Sequence, residues 1–370
     1  MSNKQPKLQH FSPEGLKNGK RLSNSSRIIL VEAEKQGISW EIIPGTKIVS
    51  MEYAGKHVSY YHQIPSTTTA LAEHACANKH TTNNLLRAVG IATPKGYQVT
   101  KTDTAEYIKK VYNSLQKPLA IKPTDGNQGD NISLNVSSYP EYQRALELAF
   151  AHAGSKSTSL VEEMFQGKEY RILATQEKVV GIVNRIPANV IGDGESSIRQ
   201  LIEHKNKEKI RRAGTQSHCK INIDADLRSN LEMCGMTVAS IPKLNQQVFL
   251  RTVSNVSKGG EAIDCTDLAH PSVNAIALEA MEAIPGLSLA GIDFITADIT
   301  KQQTDHSYVI IELNTSPGFD IHDAPYQGKN RHAAREFLYL LFPKLKKTVR
   351  QRANRDAIDT VPVPKLLLTS

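Results

Sequence analysis

Long apolar runs are missing from these 370 residues. None approaches the ~18 residues a membrane-spanning helix requires, so no membrane partner is expected. Aromatic residues make up only 6% of the chain, too few for an extended base-stacking surface, and no nucleic-acid partner is expected either. The four cysteines, Cys76, Cys219, Cys234 and Cys265, stand far apart with no C-x-x-C pair and no histidine at zinc spacing. That pattern excludes a metal knuckle and a disulfide framework, and predicts reduced, mostly buried thiols. The first residues are basic and polar without the apolar centre of a secretory signal, so the expectation is a cytoplasmic protein. No internal repeat is visible, which argues against a solenoid.

What remains is ordinary globular material: 39% hydrophobic, 22% charged, 22 Gly and 17 Pro. The length suits two or three packed subdomains. Forty-five basic against 37 acidic residues leave a net charge of +8, an excess that can serve nucleic acid, an anionic membrane or a small polyanion such as a nucleotide and does not by itself choose among them. Homo-oligomerisation is left open.

The chain reads as an α/β (α+β) protein. A helix from Asn24 to Gly37 precedes short strands at 39–43, 47–53 and 56–62, and helical spacing runs from Thr68 to Val89. A helix at about 103–116, strands at 119–122 and 132–136, a helix at about 139–153 and a strand at 159–165 follow in βαβ-like order. Strands at 170–175 and 178–185 lead to a turn at Gly192-Asp193-Gly194 and a helix to about Arg211. Residues 213–247 read as polar and irregular. Strand 248–253, helix 271–284, strands 289–297 and 307–314 and a last helix at about 331–349 complete the body.

Three segments carry chemistry. In P-L-A-I-K-P-T-D-G-N-Q-G-D-N-I-S, residues 118–133, an apolar strand delivers Lys122 to a loop holding Gly126 and Gly129. A lysine there can neutralise phosphate while bare backbone N–H groups cradle its oxygens; a plain hairpin with turn glycines is the alternative. In L-V-E-E-M-F-Q-G-K-E-Y-R, residues 160–171, Glu162, Glu163 and Glu169 can accept from an adenine amino group or ribose hydroxyls, and Met164 and Phe165 offer apolar contact to a base. The alternative, a solvated strand edge, fits Glu163 best. In A-G-I-D-F-I at 290–295 and V-I-I-E-L-N-T-S-P-G at 309–318, strand alternation puts Glu312 and Asn314 on one side, where Asp293 from another strand can join them. Three oxygen donors flanked by an apolar strand suit Mg²⁺, with the remaining positions left to phosphates and water. Here the alternative is ion pairing with a nearby Lys or Arg.

The order N-K at 78–79, I-K-P-x-D-G-N-x-G at 121–129, V-E-E-x-x-x-G-K-E-Y-R at 161–171, N-x-x-G-D-G at 189–194, L-R-x-x-S-N-x-S-x-G-G at 250–260, G-I-D at 291–293 and E-L-N-x-x-P-G at 312–318 resembles the ATP-grasp ligases. The likeness is strongest to the ATP-grasp parts of cyanophycin synthetase and of bifunctional glutamate-cysteine ligase/glutathione synthetase, over about residues 25–343. It implies two α+β lobes sandwiching ATP beside a small N-terminal α/β module, with boundaries at 1–75 (module), 76–160 (small lobe), 161–350 (large lobe) and 351–370 (tail). It implies a ligase joining a carboxylate to an amine on amino-acid or small-peptide substrates through an acyl phosphate. A small-molecule kinase or an inactive nucleotide-binding scaffold is the alternative.

By the same resemblance, Lys79 and Lys122 contact ATP phosphates under a lid loop from Gly126 through Gly129 to Ser133. Glu162 and the backbone at Glu163, Met164 and Phe165 hold adenine, and Glu169 the ribose. Asp293, Glu312 and Asn314 bind two Mg²⁺ ions, with Mn²⁺ as a substitute, and Glu312 bridges them. Arg185 and Arg251 are the catalytic candidates, while Arg171, Asn255, Ser257, Gly259 and Gly260 are the substrate-binding ones. D-alanine ligases place an arginine two residues before the metal aspartate; this chain has Gly291 there. The γ-glutamylcysteine-forming and Mur-ligase-like domains of its nearest look-alikes have no counterpart in these residues. Arg171 and Arg185 could instead pair with Glu162 or Glu195. His322 and Lys329-Asn330-Arg331 could line the site or cap the last helix, and His218 beside Cys219 resembles no metal site.

Overall fold

A computed structural model describes residues 22–124, 132–152, 158–211 and 218–346. Every strand pairing within its sheets is antiparallel. The first sheet holds Ser39–Ile42, Ile48–Tyr53, Lys56–Tyr61 and Ile64–Pro65 in chain order. A second, the small-lobe sheet, runs Gly96–Thr100, Thr158–Glu163, Leu119–Pro123, Ser133–Val136 across its width. The third and central sheet has five strands, ordered Glu261–Asp264, Val179–Ile186, Lys168–Thr175, Leu289–Thr296, Tyr308–Asn314. A two-stranded ribbon, Asn189–Ile191 with Gln247–Phe249, stands apart. Among the described residues no helix is long and apolar enough to cross a membrane.

Strand alternation gives the central sheet two unlike faces. Tyr170, Ile172, Ala174, Ile182, Ala290, Ile292, Phe294 and Ile310 point into a core shared with helix Pro271–Glu282 and with helices Ala70–Ala77 and Lys79–Ala88. On the other face Leu173, Val180 and Leu289 pack under helices Asn24–Lys35 and Ala333–Leu341 and the first sheet. That second face changes character along its length: beyond the apolar patch it carries Glu169, Arg171, Asp293 and Glu312, which the strand registers set side by side. Burying aliphatic side chains at one end anchors the N-terminal module and leaves the other end for charge.

Several boundaries depart from the sequence reading for local reasons. The helical stretch 68–89 is two helices, because Asn78 leaves the helix and its side chain accepts from Thr81 N at 3.0 Å, the bond that makes Asn a favoured cap. The region 213–247 contains a helix, Ala225–Met233, capped by Asp224 and anchored through Leu227 and Leu231. Strand Glu261–Asp264 was not anticipated. The cysteines also differ from expectation: Cys219 and Cys234 are exposed, and Cys76 and Cys265 only half-buried.

Candidate active site

The charged end of the central sheet is built by register. Asp293 lies opposite Arg171 on one side and opposite Glu312 on the other, and Gly291 lies opposite Asn314. The pairing slips just beyond, where Asp293 matches Glu312 but Phe294 matches Ile310. Ile311 is therefore the extra residue of a bulge, a device that re-aims neighbouring side chains. Glu312 and Asn314 stay on one side, as the alternation predicted.

The carboxylates here are paired with cations. Arg171 Nε lies 2.5 Å from Asp293 Oδ1, and Arg185 Nη2 lies 2.9 Å from Asp293 Oδ2. Arg185 also contacts Glu169, which takes a hydrogen bond from Ser254 Oγ. Lys79 Nζ reaches Glu312 Oε2 at 3.4 Å from the start of its helix. Burial alone would push the Asp293 carboxyl up, but the two guanidiniums outweigh it and hold it below the usual range. The partners of Arg171 and Arg185 are thus Asp293 and Glu169, not Glu162 or Glu195. Non-local pairing across a sheet is what decided this, and it is invisible in a linear sequence.

Gly291 explains how Arg171 fits. A Cβ at that position would lie 2.9 Å from Arg171 Nη1 and 2.9 Å from Pro317 Cβ, so the guanidinium of Arg171 lies directly against the glycine backbone. The space beside residue 291 is already filled with positive charge from the neighbouring strand.

The donor set suits a hard cation. Asp293, Glu312 and Asn314 offer only oxygen, the preference of Mg²⁺. Glu312 keeps 30% of its side chain exposed against 9% for Asp293, and Asn314 Oδ1 accepts from Ser316 N at 2.8 Å. The described residues hold no cluster of three His, Cys, Asp or Glu side chains set to bind a metal by themselves, so a cation here would draw on the amide and on ligand oxygens as well.

The small-lobe sheet presents a second buried pair. Lys122 Nζ lies 2.6 Å from Glu162 Oε2, and Glu162 Oε1 accepts from Asn83 Nδ2 at 3.0 Å. Met164 and Phe165 are half-buried at the end of that strand, and Met164 N donates to Pro118 O at 3.0 Å. Glu163 faces away, accepting from Gln116 N and lying 3.4 Å from Lys95. Ser133 opens a strand of the same sheet opposite Ile121; Gly126 and Gly129 lie outside the described residues.

The remaining candidates fall in a different environment. Arg251 is committed to Asp224 at 2.5 Å and to the carbonyls of Asn222 and Lys258, not to the Asp293 cluster. Asn255 Oδ1 accepts from Ser257 N and Oγ. Gly259 has φ +96, and a Cβ on Gly260 would lie 2.8 Å from Ile186 O, so both glycines have a backbone reason to be there. This loop is braced by fully buried Arg211, which donates to Gly259 O and Cys219 O and pairs with Glu261 at 2.8 Å. The sequence reading missed Asn83, Arg211 and Glu261; only the four-residue spacing of Lys79 and Asn83 hinted that both could share a helix face.

After the last strand, His322 is fully buried, with neither ring nitrogen hydrogen-bonded. Burial and the nearby arginines push its pKa down to about 3. Arg331 pairs with Asp264 and Asp267. The N-terminus of the final helix is capped instead by Asp323, which accepts from Ala333 N and Ala334 N. His218 accepts from Ala262 N at 3.1 Å within the core.

Comparison with known proteins adds relatives. The glutathione biosynthesis bifunctional protein GshAB of Clostridium perfringens is 36% identical over 326 residues, 87% of this chain and 41% of that protein. Cyanophycin synthetase of Trichormus variabilis is 34% identical over 323 residues, 87% of this chain and 35% of that protein. A solved structure, the bifunctional glutathione synthetase from Pasteurella multocida, superposes with a TM-score of 0.67 at 28% identity, covering 86% of this chain and 44% of the other. The chain spans about two fifths of the length of these relatives. No family model matches it.

Proposed function

We propose, for a chain that belongs to the ATP-grasp family in fold and in sequence pattern, that it is an ATP-dependent ligase joining a carboxylate to an amine. The observation that carries this reading is the charged face of the central sheet, where Asp293, Glu312 and Asn314 stand beside Arg171 and Arg185. Such a face can hold a polyanion and a second, acidic reactant together. The substrates we infer are amino acids or short peptides, in the cytoplasm where ATP is supplied.

In this reading Lys79 and Lys122 neutralise the phosphates, and Glu162 with the backbone at 163–165 receives the base. Glu169, now held by Arg185 and Ser254, faces the ribose. Asp293, Glu312 and Asn314 would hold two Mg²⁺ ions, whose chemistry is to neutralise charge that develops on the transferring phosphoryl group. Arg171 and Arg185 orient the substrate carboxylate, one oxygen of which attacks the γ-phosphorus in line while ADP departs. Positioning and charge neutralisation supply most of the acceleration in such a transfer. The amine nitrogen then attacks the acyl carbon and phosphate leaves, with Arg185 or Arg171 placed to stabilise the tetrahedral oxyanion. We assign Arg251, Asn255, Ser257, Gly259 and Gly260 to shaping the acceptor side of the cleft. No covalent enzyme intermediate is required.

The reading is tested by screening pairs of amino acids and short peptides for ADP release, with mass spectrometry of the products. ADP release that requires both an acid and an amine, with an amide product heavier than either, is expected. ADP release that no amine alters would count against a ligase.

A further inference from the structure

Three polar side chains from three elements meet between helix Lys79–Ala88 and the small-lobe sheet, and all are buried: Asn83 at 1% exposure, Glu162 at 2% and Lys122 at 5%. Both oxygens of Glu162 are engaged, one by Lys122 at 2.6 Å and the other by Asn83 Nδ2 at 3.0 Å. Asn83 sits on helix Lys79–Ala88, four residues after Lys79, which is about one turn. Since Lys79 contacts Glu312, a single helix touches the buried carboxylate of the small-lobe sheet and a carboxylate of the central sheet.

The other end of the Asn83 amide is informative. Its Oδ1 is buried with no hydrogen-bond partner, and an unsatisfied buried acceptor costs stability. A leucine, of the same branched shape though larger, would carry no such acceptor. What asparagine supplies and leucine cannot is the donor to Glu162. Resting on the nucleotide reading above, we propose that Asn83 is a positioning residue for the nucleotide site. It fixes the rotamer of Glu162, and through Glu162 the Lys122 ammonium, and it ties that pair to the helix that presents Lys79. Because its amide nitrogen is committed to Glu162, Asn83 acts through Glu162.

Calorimetry with a non-hydrolysable ATP analogue and Mg²⁺ tests this without relying on turnover. Asn83→Leu and Asn83→Ser should each weaken analogue binding about tenfold, the scale of one hydrogen bond to a charged group, while both variants keep a cooperative thermal transition. In a Glu162→Met background, which offers no oxygen for Asn83 to donate to, the same Asn83→Leu change should alter affinity less than about twofold, because coupled residues are non-additive. Unchanged affinity in both single variants overturns the proposal. So does a loss that persists undiminished in the Glu162→Met background, which would make Asn83 a general structural residue. A parent chain that binds no analogue overturns the nucleotide reading and this inference with it.

Discussion

Glu312→Gln is expected to reduce ligation by on the order of a hundred- to a thousandfold, the range seen when one preorganised charge-stabilising group is lost. The fold should survive. Glu312 is partly exposed and its contact with Lys79 is 3.4 Å long, so losing that ion pair removes little stability, as partly solvated pairs contribute little. The effect is chemical because a neutral amide offers one weak oxygen where a carboxylate offers two charged ones, and Glu312 is more open than Asp293. Steady-state ADP formation, with thermal unfolding as the control, measures both halves. Activity within a few-fold of the parent, in a folded variant, would remove Glu312 from the site.

Asp293→Ala should lose activity too and, unlike Glu312→Gln, should also lose much of the protein's stability. Asp293 sits between two guanidiniums, Arg171 at 2.5 Å and Arg185 at 2.9 Å, and is itself buried. Removing one member of a buried pair leaves uncompensated charge, at a cost of about 3–5 kcal/mol. The pH dependence has a definite sign. The arginines hold the folded-state carboxyl below its unfolded value of about 3.9. The stabilisation is therefore fully present above that value and is lost as pH falls through the lower folded-state one. Denaturant unfolding of parent and variant at pH 7 should differ by several kcal/mol, and the gap should shrink as the medium is acidified below about pH 4. A gap under about 1 kcal/mol at pH 7 would mean that the arginines are solvated or find other partners.

Much of this site was legible because its signals are local. Alternation alone put Glu312 and Asn314 on one side, and the apolar residues around them marked a buried strand. Lys122 and Glu162 were each visible at a strand end, although nothing in the sequence said that they pair with each other. What could not be read is register. The partner of Arg171 is 122 positions away in the chain, and the bulge at Ile311 depends on how two strands meet. Glu261–Asp264 was missed because its short apolar run follows two glycines and pairs with a distant strand. Helix Ala225–Met233 shows what a polar setting hides: Leu227 and Leu231 are spaced for a helix and Asp224 for a cap, yet the surrounding residues masked them. The cysteine expectation failed because intrinsic burial preference says nothing of Cys219 and Cys234 at their particular surfaces.

Trapping of the activated acid tests the ligase claim most directly. With ATP, Mg²⁺ and the acid identified by the paired screen, hydroxylamine in place of the amine should attack the acyl phosphate, giving an acyl hydroxamate with matching ADP and phosphate. A kinase acting on a hydroxyl would instead give a stable phosphate ester and no hydroxamate. Hydroxamate formation is the result predicted here; a phosphate ester, with ADP release indifferent to hydroxylamine and to every amine tried, would contradict it.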